Sequence, residues 1–242
     1  MLIEFIGFSS SGKTTLIKEL GVILNKRIII FNDIELEFLN KNYCKESKSN
    51  YLKFLINLKS IFYFFKYFSF KKIKNILALI NLTQLSYSRK IAYFRNHIKK
   101  ISLVYFYIKK IHKNPQKILL FDEGFIQGTL NILNHINNDN GSLNLEDIDL
   151  TFFPDILICL KPDTDKLIKS IRKRKDRKYW LSLSDKELKI FINRFNKNME
   201  KIINFYNQSK TKKVLILSNI EDCFNDEIFI DFIIKNSEKN RI

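Results

Sequence analysis

Met1-Leu2-Ile3-Glu4-Phe5-Ile6-Gly7-Phe8-Ser9-Ser10-Ser11-Gly12-Lys13-Thr14-Thr15-Leu16-Ile17-Lys18-Glu19-Leu20 decides how the rest of the chain is read. Leu2 to Ile6 is a short, nearly continuous apolar run and predicts a buried strand. Gly7 to Thr14 fits G-x-x-x-x-G-K-[ST], and Thr15 to Leu20 has the spacing of a helix. Strand, glycine-bounded loop and helix in this order form the context in which the pattern is a phosphate site rather than a surface loop.

The physics of such a loop is specific. Successive backbone N–H groups point inward and hold phosphate oxygens. The following helix offers unpaired N–H groups and a positive dipole end to the same anion. Gly7 and Gly12 let the backbone bend without a Cβ clash. Ser9, Ser10, Ser11 and Thr15 complete the predicted cradle. Lys13 is placed to reach the β- and γ-phosphates of a nucleotide, and the Thr14 hydroxyl to hold Mg²⁺.

Working outward, Arg27 to Phe31 predicts a second buried strand. Asn32-Asp33 follows it, where a parallel sheet opens its ligand crevice. Asp33 and Glu35 are candidates to contact substrate; the other reading is that Asn32 or Asp33 caps the next helix. Lys117 to Phe121 predicts a third strand, ending in Asp122-Glu123-Gly124. Asp122 there orients Mg²⁺, with Glu123 a base beside it, or Asp122 caps a helix running from Phe125 to about Asn138. Gln127, in that helix, joins Asp33 and Glu35 as a substrate-contact candidate.

Pro154 to Leu160 predicts a fourth strand, and Asp163 or Thr164 caps a helix carrying Leu167, Ile168 and Ile171. That helix runs into Arg172-Lys173-Arg174-Lys175-Asp176-Arg177-Lys178. Planar, permanently charged guanidinium groups suit a lid that closes over a transferring phosphate. The bland reading is a solvated basic turn. Ser184-Asp185-Lys186-Glu187 is a capping box that opens a long helix to about Asn207. Lys213 to Leu217 predicts the fifth strand, with Ser218 and Asn219 placed to meet a nucleotide base, and Phe224 to Lys235 a closing helix.

The 242 residues suit a single large domain. Hydrophobic content of 45% with 28% charged residues is globular composition, not disorder. The net charge of +17 has an address. Between Lys41 and Leu120 there are 18 Lys plus Arg and one acid, Glu46, while the rest of the chain is balanced. Residues 47–113 lack proline and glycine and alternate apolar with lysine-bearing turns. Ile98, Ile101, Tyr105, Ile108 and Ile111 recur at helical steps. The stretch Phe54 to Phe70 is apolar nearly all round. Three or four helices are expected here, as a basic insertion within one domain. Such a segment attracts polyanions, acidic membrane surfaces or phosphorylated substrates; the plain reading is an aromatic core with a solvated lysine face.

Cys44, Cys159 and Cys223 are far apart and form no C-x-x-C pair, which suits a reducing compartment. Cys159 sits in an apolar run as a core residue. His97, His112 and His135 have no metal-ligand spacing and read as ordinary surface or helix residues. The chain opens on its first strand, with no leader expected. Ile61 to Phe65 falls far short of the roughly 20 residues that span a bilayer.

In this order the motifs resemble the P-loop kinases of small molecules, the nucleoside monophosphate and deoxynucleoside kinase superfamily, with thymidylate kinase nearest in layout. The loop Gly7 to Thr15, the strand Pro154 to Leu160 and the arginines Arg172, Arg174 and Arg177 carry the resemblance. Phe121-Asp122-Glu123-Gly124 departs from the Asp-Arg or Glu-Arg pair usual in that group. The resemblance implies an α/β, three-layer P-loop NTPase fold: a five-stranded parallel sheet with helices on both faces, a helical insertion at about 47–113 and a lid at about 172–183. It implies ATP and Mg²⁺ as cofactors, with Thr14 and Asp122 on the metal. It implies transfer of the γ-phosphoryl to a nucleotide, nucleoside or sugar, with Lys13, Asp122, Glu123, Arg172, Arg174 and Arg177 in catalytic roles. The same motifs serve a P-loop ATPase or nucleotide-dependent regulator of a protein partner, favoured by the acidic pair Asp122-Glu123. They also serve a kinase of nucleic-acid ends or of a membrane-associated substrate, gripped through residues 41–120. The expected location is cytoplasmic, with the membrane periphery as the variant of that last reading. A homodimer face at the aromatic stretch Phe62 to Phe70 stays open.

Overall fold

The computed structural model describes residues 1–24, 28–30, 50–67, 74, 77–78, 80–111, 118–122, 124–136, 154–174, 178–208, 213–218 and 227–239. Five strands form one sheet: β1 (Leu2–Gly7), β2 (Ile28–Ile30), β3 (Ile118–Phe121), β4 (Ile156–Leu160) and β5 (Lys213–Leu217). Their spatial order is β2-β3-β1-β4-β5 and every pairing is parallel. Leu2, Ile3 and Glu4 stand opposite Leu119, Leu120 and Phe121 on one edge of β1. Ile3 to Gly7 stand opposite Ile156 to Leu160 on the other edge.

The helices are α1 (Lys13–Leu24), α2 (Asn50–Tyr67), α3 (Tyr87–Ile111), α4 (Phe125–Leu133), α5 (Thr164–Arg172), α6 (Lys178–Leu181), α7 (Asp185–Asn207) and α8 (Glu227–Lys239). Strand side chains alternate between two layers, as the pleat requires. Ile3, Phe5, Leu120, Ile156 and Ile158 pack with Leu16, Leu20, Phe229 and Ile233 of α1 and α8. Leu2, Ile6, Leu119, Phe121, Leu157 and Cys159 pack with α3, α4, α5 and α7. The inner strands β1, β3 and β4 are buried on both faces, which needs such continuous apolar runs. Cys159 is core, its thiol pushed up by burial and by Glu4.

The basic segment supplies part of this core. Ile98, Ile101, Leu103, Val104 and Tyr107 of α3 belong to the same cluster as β1 and β4. Ile56, Ser60 and Phe64 of α2, one turn apart, are buried. Ser60 Oγ donates to Ile56 O at 2.6 Å, and Ser102 Oγ of α3 donates to Ser60 O at 2.9 Å. Leu58, Phe62 and Phe65 lie on the exposed side of α2. Among the described residues no helix is long and apolar enough to cross a membrane.

Of the two readings of His97, surface or helix residue, the structure gives the second: it lies in α3 and is buried, 4% exposed, its ring 4.8 Å from Phe125, and a Cβ on Gly128 would lie 3.0 Å from its Nδ1. Burial, with help from Lys100, pushes its pKa down to about 3, so the ring is neutral. The helix expected to reach Asn138 ends at Leu133. The chain then tightens, with His135 N donating to Ile132 O and Ile136 N to Leu133 O, and the His135 carbonyl accepts from Gln84 N. His112 lies outside the described residues.

Helix caps follow the sequence closely. The Asp163 carboxylate accepts from Asp165 N and Lys166 N at the start of α5. Ser184 and Glu187 form the reciprocal capping box of α7. Replacing Ser184 with Ala is expected to cost about 1 kcal/mol, read as a lowered urea midpoint at unchanged slope.

Candidate active site

Gly7 closes β1 and Lys13 opens α1, so the loop lies at the carboxyl end of the central strand. Ser10 (φ 66°) and Gly12 (φ 94°) are in the left-handed region, which turns successive amides to one side. A Cβ on Gly7 would sit 2.6 Å from Ser11 Oγ and 2.9 Å from the Leu160 carbonyl oxygen, so no side chain fits there. Lys13 is buried and donates to the carbonyls of Gly7 at 2.8 Å and Phe8 at 3.2 Å. Phe8 fixes the loop from outside: its ring stands 4.9 Å from Trp180 and 5.4 Å, edge-on, from Phe195.

Thr14 Oγ1 donates to Asp122 Oδ2 at 2.6 Å. Asp122 follows the last residue of β3, and this bond joins the helix after the loop to the neighbouring strand end. Asp122 Oδ1 and the hydroxyls of Ser9, Ser10 and Ser11 are buried with no hydrogen-bond partner among the described residues. Desolvated oxygens without partners are costly unless something binds them. Thr14 and Asp122 are hard oxygen donors of the kind that hold Mg²⁺ through one or two protein ligands alongside substrate phosphates. The residues therefore fit a phosphate chain with its metal.

Gly7 to Thr15 line a cavity of about 450 Å³ together with Asp122, Gln127, Asn131 and Arg174. Arg174 thus reaches the site. Arg172 is held elsewhere: its guanidinium donates to the carbonyls of Trp180, Leu181 and Leu183 and pairs with Asp185. It fastens α6 and the entry to α7. Ser218 is exposed at the end of β5. Asp33, Glu35, Glu123, Arg177 and Asn219 lie outside the described residues.

Gln127 grips the loop rather than simply facing a ligand. Its Oε1 accepts from Gly7 N at 2.9 Å, and its Nε2 donates to Asn131 Oδ1 at 2.9 Å. Its own amide donates to Glu4 Oε1 at 2.7 Å. Glu4, on β1, is 2% exposed, and the amides of Phe125 and Ile126 also bond its carboxylate. The N-cap of α4 is Gly124, which has no side chain to offer. A Cβ there would stand 2.5 Å from the Glu4 carboxyl, so glycine makes room for a cap sent from another strand. A lone acid inside Leu2-Ile3-Glu4-Phe5-Ile6 was the sequence signal for this role. Asn131, Asn134 and His135 also line the cavity, as do Tyr93 and Trp180, none of which motif spacing singles out. Burial, with Arg89 and Arg194, pushes the His135 pKa down and keeps the ring neutral.

Neither a family model nor a curated protein sequence matches the chain. Among solved structures it is similar to deoxyadenosine kinase from M. mycoides with bound dATP, at 13% identity and TM-score 0.46, covering 97% of this chain and 98% of that one. The same enzyme with bound dCTP gives 16% identity and TM-score 0.44, covering 100% of both chains. TT1252 from Thermus thermophilus gives 9% identity and TM-score 0.40, covering 93% and 94%.

Burial pushes the Glu4 pKa up to about 7, against the pull of the α4 amides and Lys100. Relative to the ionised state, its stabilising contribution is fully present below about 4.5 and is lost as the pH rises through about 7. Stability should therefore fall between those values, by about 3 kcal/mol in all. Urea unfolding at pH 5 and pH 8 checks this: the loss expected in the native protein is absent in Glu4→Gln, and an equal loss in both would contradict the assignment.

Proposed function

We propose that the protein is a phosphotransferase that moves the γ-phosphoryl group of ATP, with Mg²⁺, to a small acceptor. The observation that carries this reading is the Thr14–Asp122 bond of 2.6 Å, set in a cavity that runs on from the loop to α4 and Arg174. A site for hydrolysis alone needs no such room beside the phosphates.

Loop amides at the N-terminus of α1 hold the phosphate chain, and Lys13 adds its charge at the β- and γ-phosphates. Thr14 and Asp122 would hold the metal, which would supply positive charge against that of the phosphate chain. The acceptor oxygen bonds to the γ-phosphorus as the bond to the β,γ-bridging oxygen breaks, and ADP leaves. The acceptor proton goes to a carboxylate, Asp122 or Glu123, the acidic pair that follows β3 in the sequence. Arg174 sets a fixed positive charge against the transferring group, where such preorganised charge lowers the barrier most.

Incubation with ATP, Mg²⁺ and a panel of acceptors, followed by mass spectrometry, tests the reading. ADP is expected to match phosphorylated acceptor one for one. Lys13→Ala and Asp122→Asn are each expected to lower kcat roughly a hundredfold or more. ADP formed at the same rate without any acceptor would instead make the protein an ATPase.

A further inference from the structure

α2 is a helix with two apolar faces. Ile56, Ser60 and Phe64 recur at four-residue steps and are buried. Leu58, Phe62 and Phe65 stand on the opposite side at i, i+4 and i+7, and are 42%, 69% and 54% exposed. Lys59 and Lys66, seven residues apart, run along one flank of that outer face, the first partly exposed and the second exposed. Core packing accounts for the inner row: Phe64 joins the cluster of α3, and the Ser102–Ser60 bond closes the seam between the two helices. It leaves the outer row unexplained, because the solvent face of a packed helix carries polar residues. Single exposed apolar side chains are ordinary, but three on two turns of one face make a patch.

The charge around the patch restricts what can cover it. From Ser47 to Phe121 the sequence holds no Asp or Glu, and the chain's basic surplus lies in this same segment. A second copy of the chain would set one acid-free basic segment against another, which like charges oppose. A nucleic-acid strand would bring phosphates, but its bases stack on π-faces, which Leu58 does not have, and the middle of the patch is hydrocarbon rather than cationic. The surface of an acidic bilayer offers both parts in the right order. Its hydrocarbon accepts Leu and Phe side chains from a helix lying in the interface. Its anionic headgroups attract the lysines, whose stems can run along the helix to reach them. Among the described residues no helix can cross a membrane, so the contact is with the surface alone.

We propose that the outer face of α2, formed by Leu58, Phe62 and Phe65 and flanked by Lys59 and Lys66, docks the protein on the surface of an acidic lipid bilayer. Phe62, the most exposed of the three, enters furthest. None of these residues lines the phosphate-loop cavity, so the docking stands apart from the phosphotransferase reading.

The test sediments the full-length protein with vesicles of phosphatidylcholine, alone or with part of it replaced by phosphatidylglycerol. Binding is expected to the acidic vesicles only and to weaken as salt rises. The double variant Phe62→Ser, Phe65→Ser should weaken it about tenfold or more. The double variant Lys59→Gln, Lys66→Gln should weaken it about fivefold or more. A Phe62→Trp variant gives a readout that survives poor folding of the serine variant: brominated lipid should quench the added indole above the level set by Trp180 in the native protein. No sedimentation with acidic vesicles overturns the proposal. So does binding that neither the serine variant weakens nor bromine quenches, since that is attraction by charge alone. A dimer, or retention of a single-stranded oligonucleotide, that the serine variant abolishes would give the face to a second copy or to nucleic acid and overturn it as well.

Discussion

Everything near the site depends on β1 being closed in on all sides. Its two edges are paired to β3 and β4, and its two faces are covered by helical layers. A strand in that position must be apolar on both faces, yet it carries Glu4, which is buried. The acid is tolerated because the first amides of α4 converge on it. That same bond fixes α4 against β1, and α4 in turn presents Gln127 to Gly7. One buried carboxylate therefore links the core of the sheet to the first residue of the phosphate loop. Its raised pKa is the cost of that arrangement, since burial disfavours the charged form.

α6 and α7 are attached to the loop by apolar contacts. Phe8, inside the loop, packs against Trp180 of α6 and Phe195 of α7. Arg172 gathers three carbonyls and Asp185 around the turn between those helices, while Arg174, two residues on, lines the cavity. The two arginines lie two residues apart at the end of one helix and do different work. Position along the helix axis sends one side chain to the scaffold and the other to the site. Similarly, the basic segment divides by face. Its inner apolar residues complete the core, through Phe64, Ile98, Ile101 and Tyr107, while the lysines among its described residues are exposed or partly exposed.

The sequence alone determined the five strands, the glycine-bounded loop between β1 and α1, and the caps Asp163 and Ser184. Each of these is local: a run of apolar residues, a fixed glycine spacing, or a capping residue within three positions of the amide it serves. Only the tertiary structure decided that β1 is central, that Glu4 caps a helix through an amide 123 residues away in the chain, that Arg174 rather than Arg172 faces the cavity, and that His97 is core. It also decided that Gln127, Asn131 and Asn134 form one wall of the site. Those outcomes depend on which elements pack together, because a side chain acquires its partner, its dielectric surroundings and its charge state only when distant segments close around it.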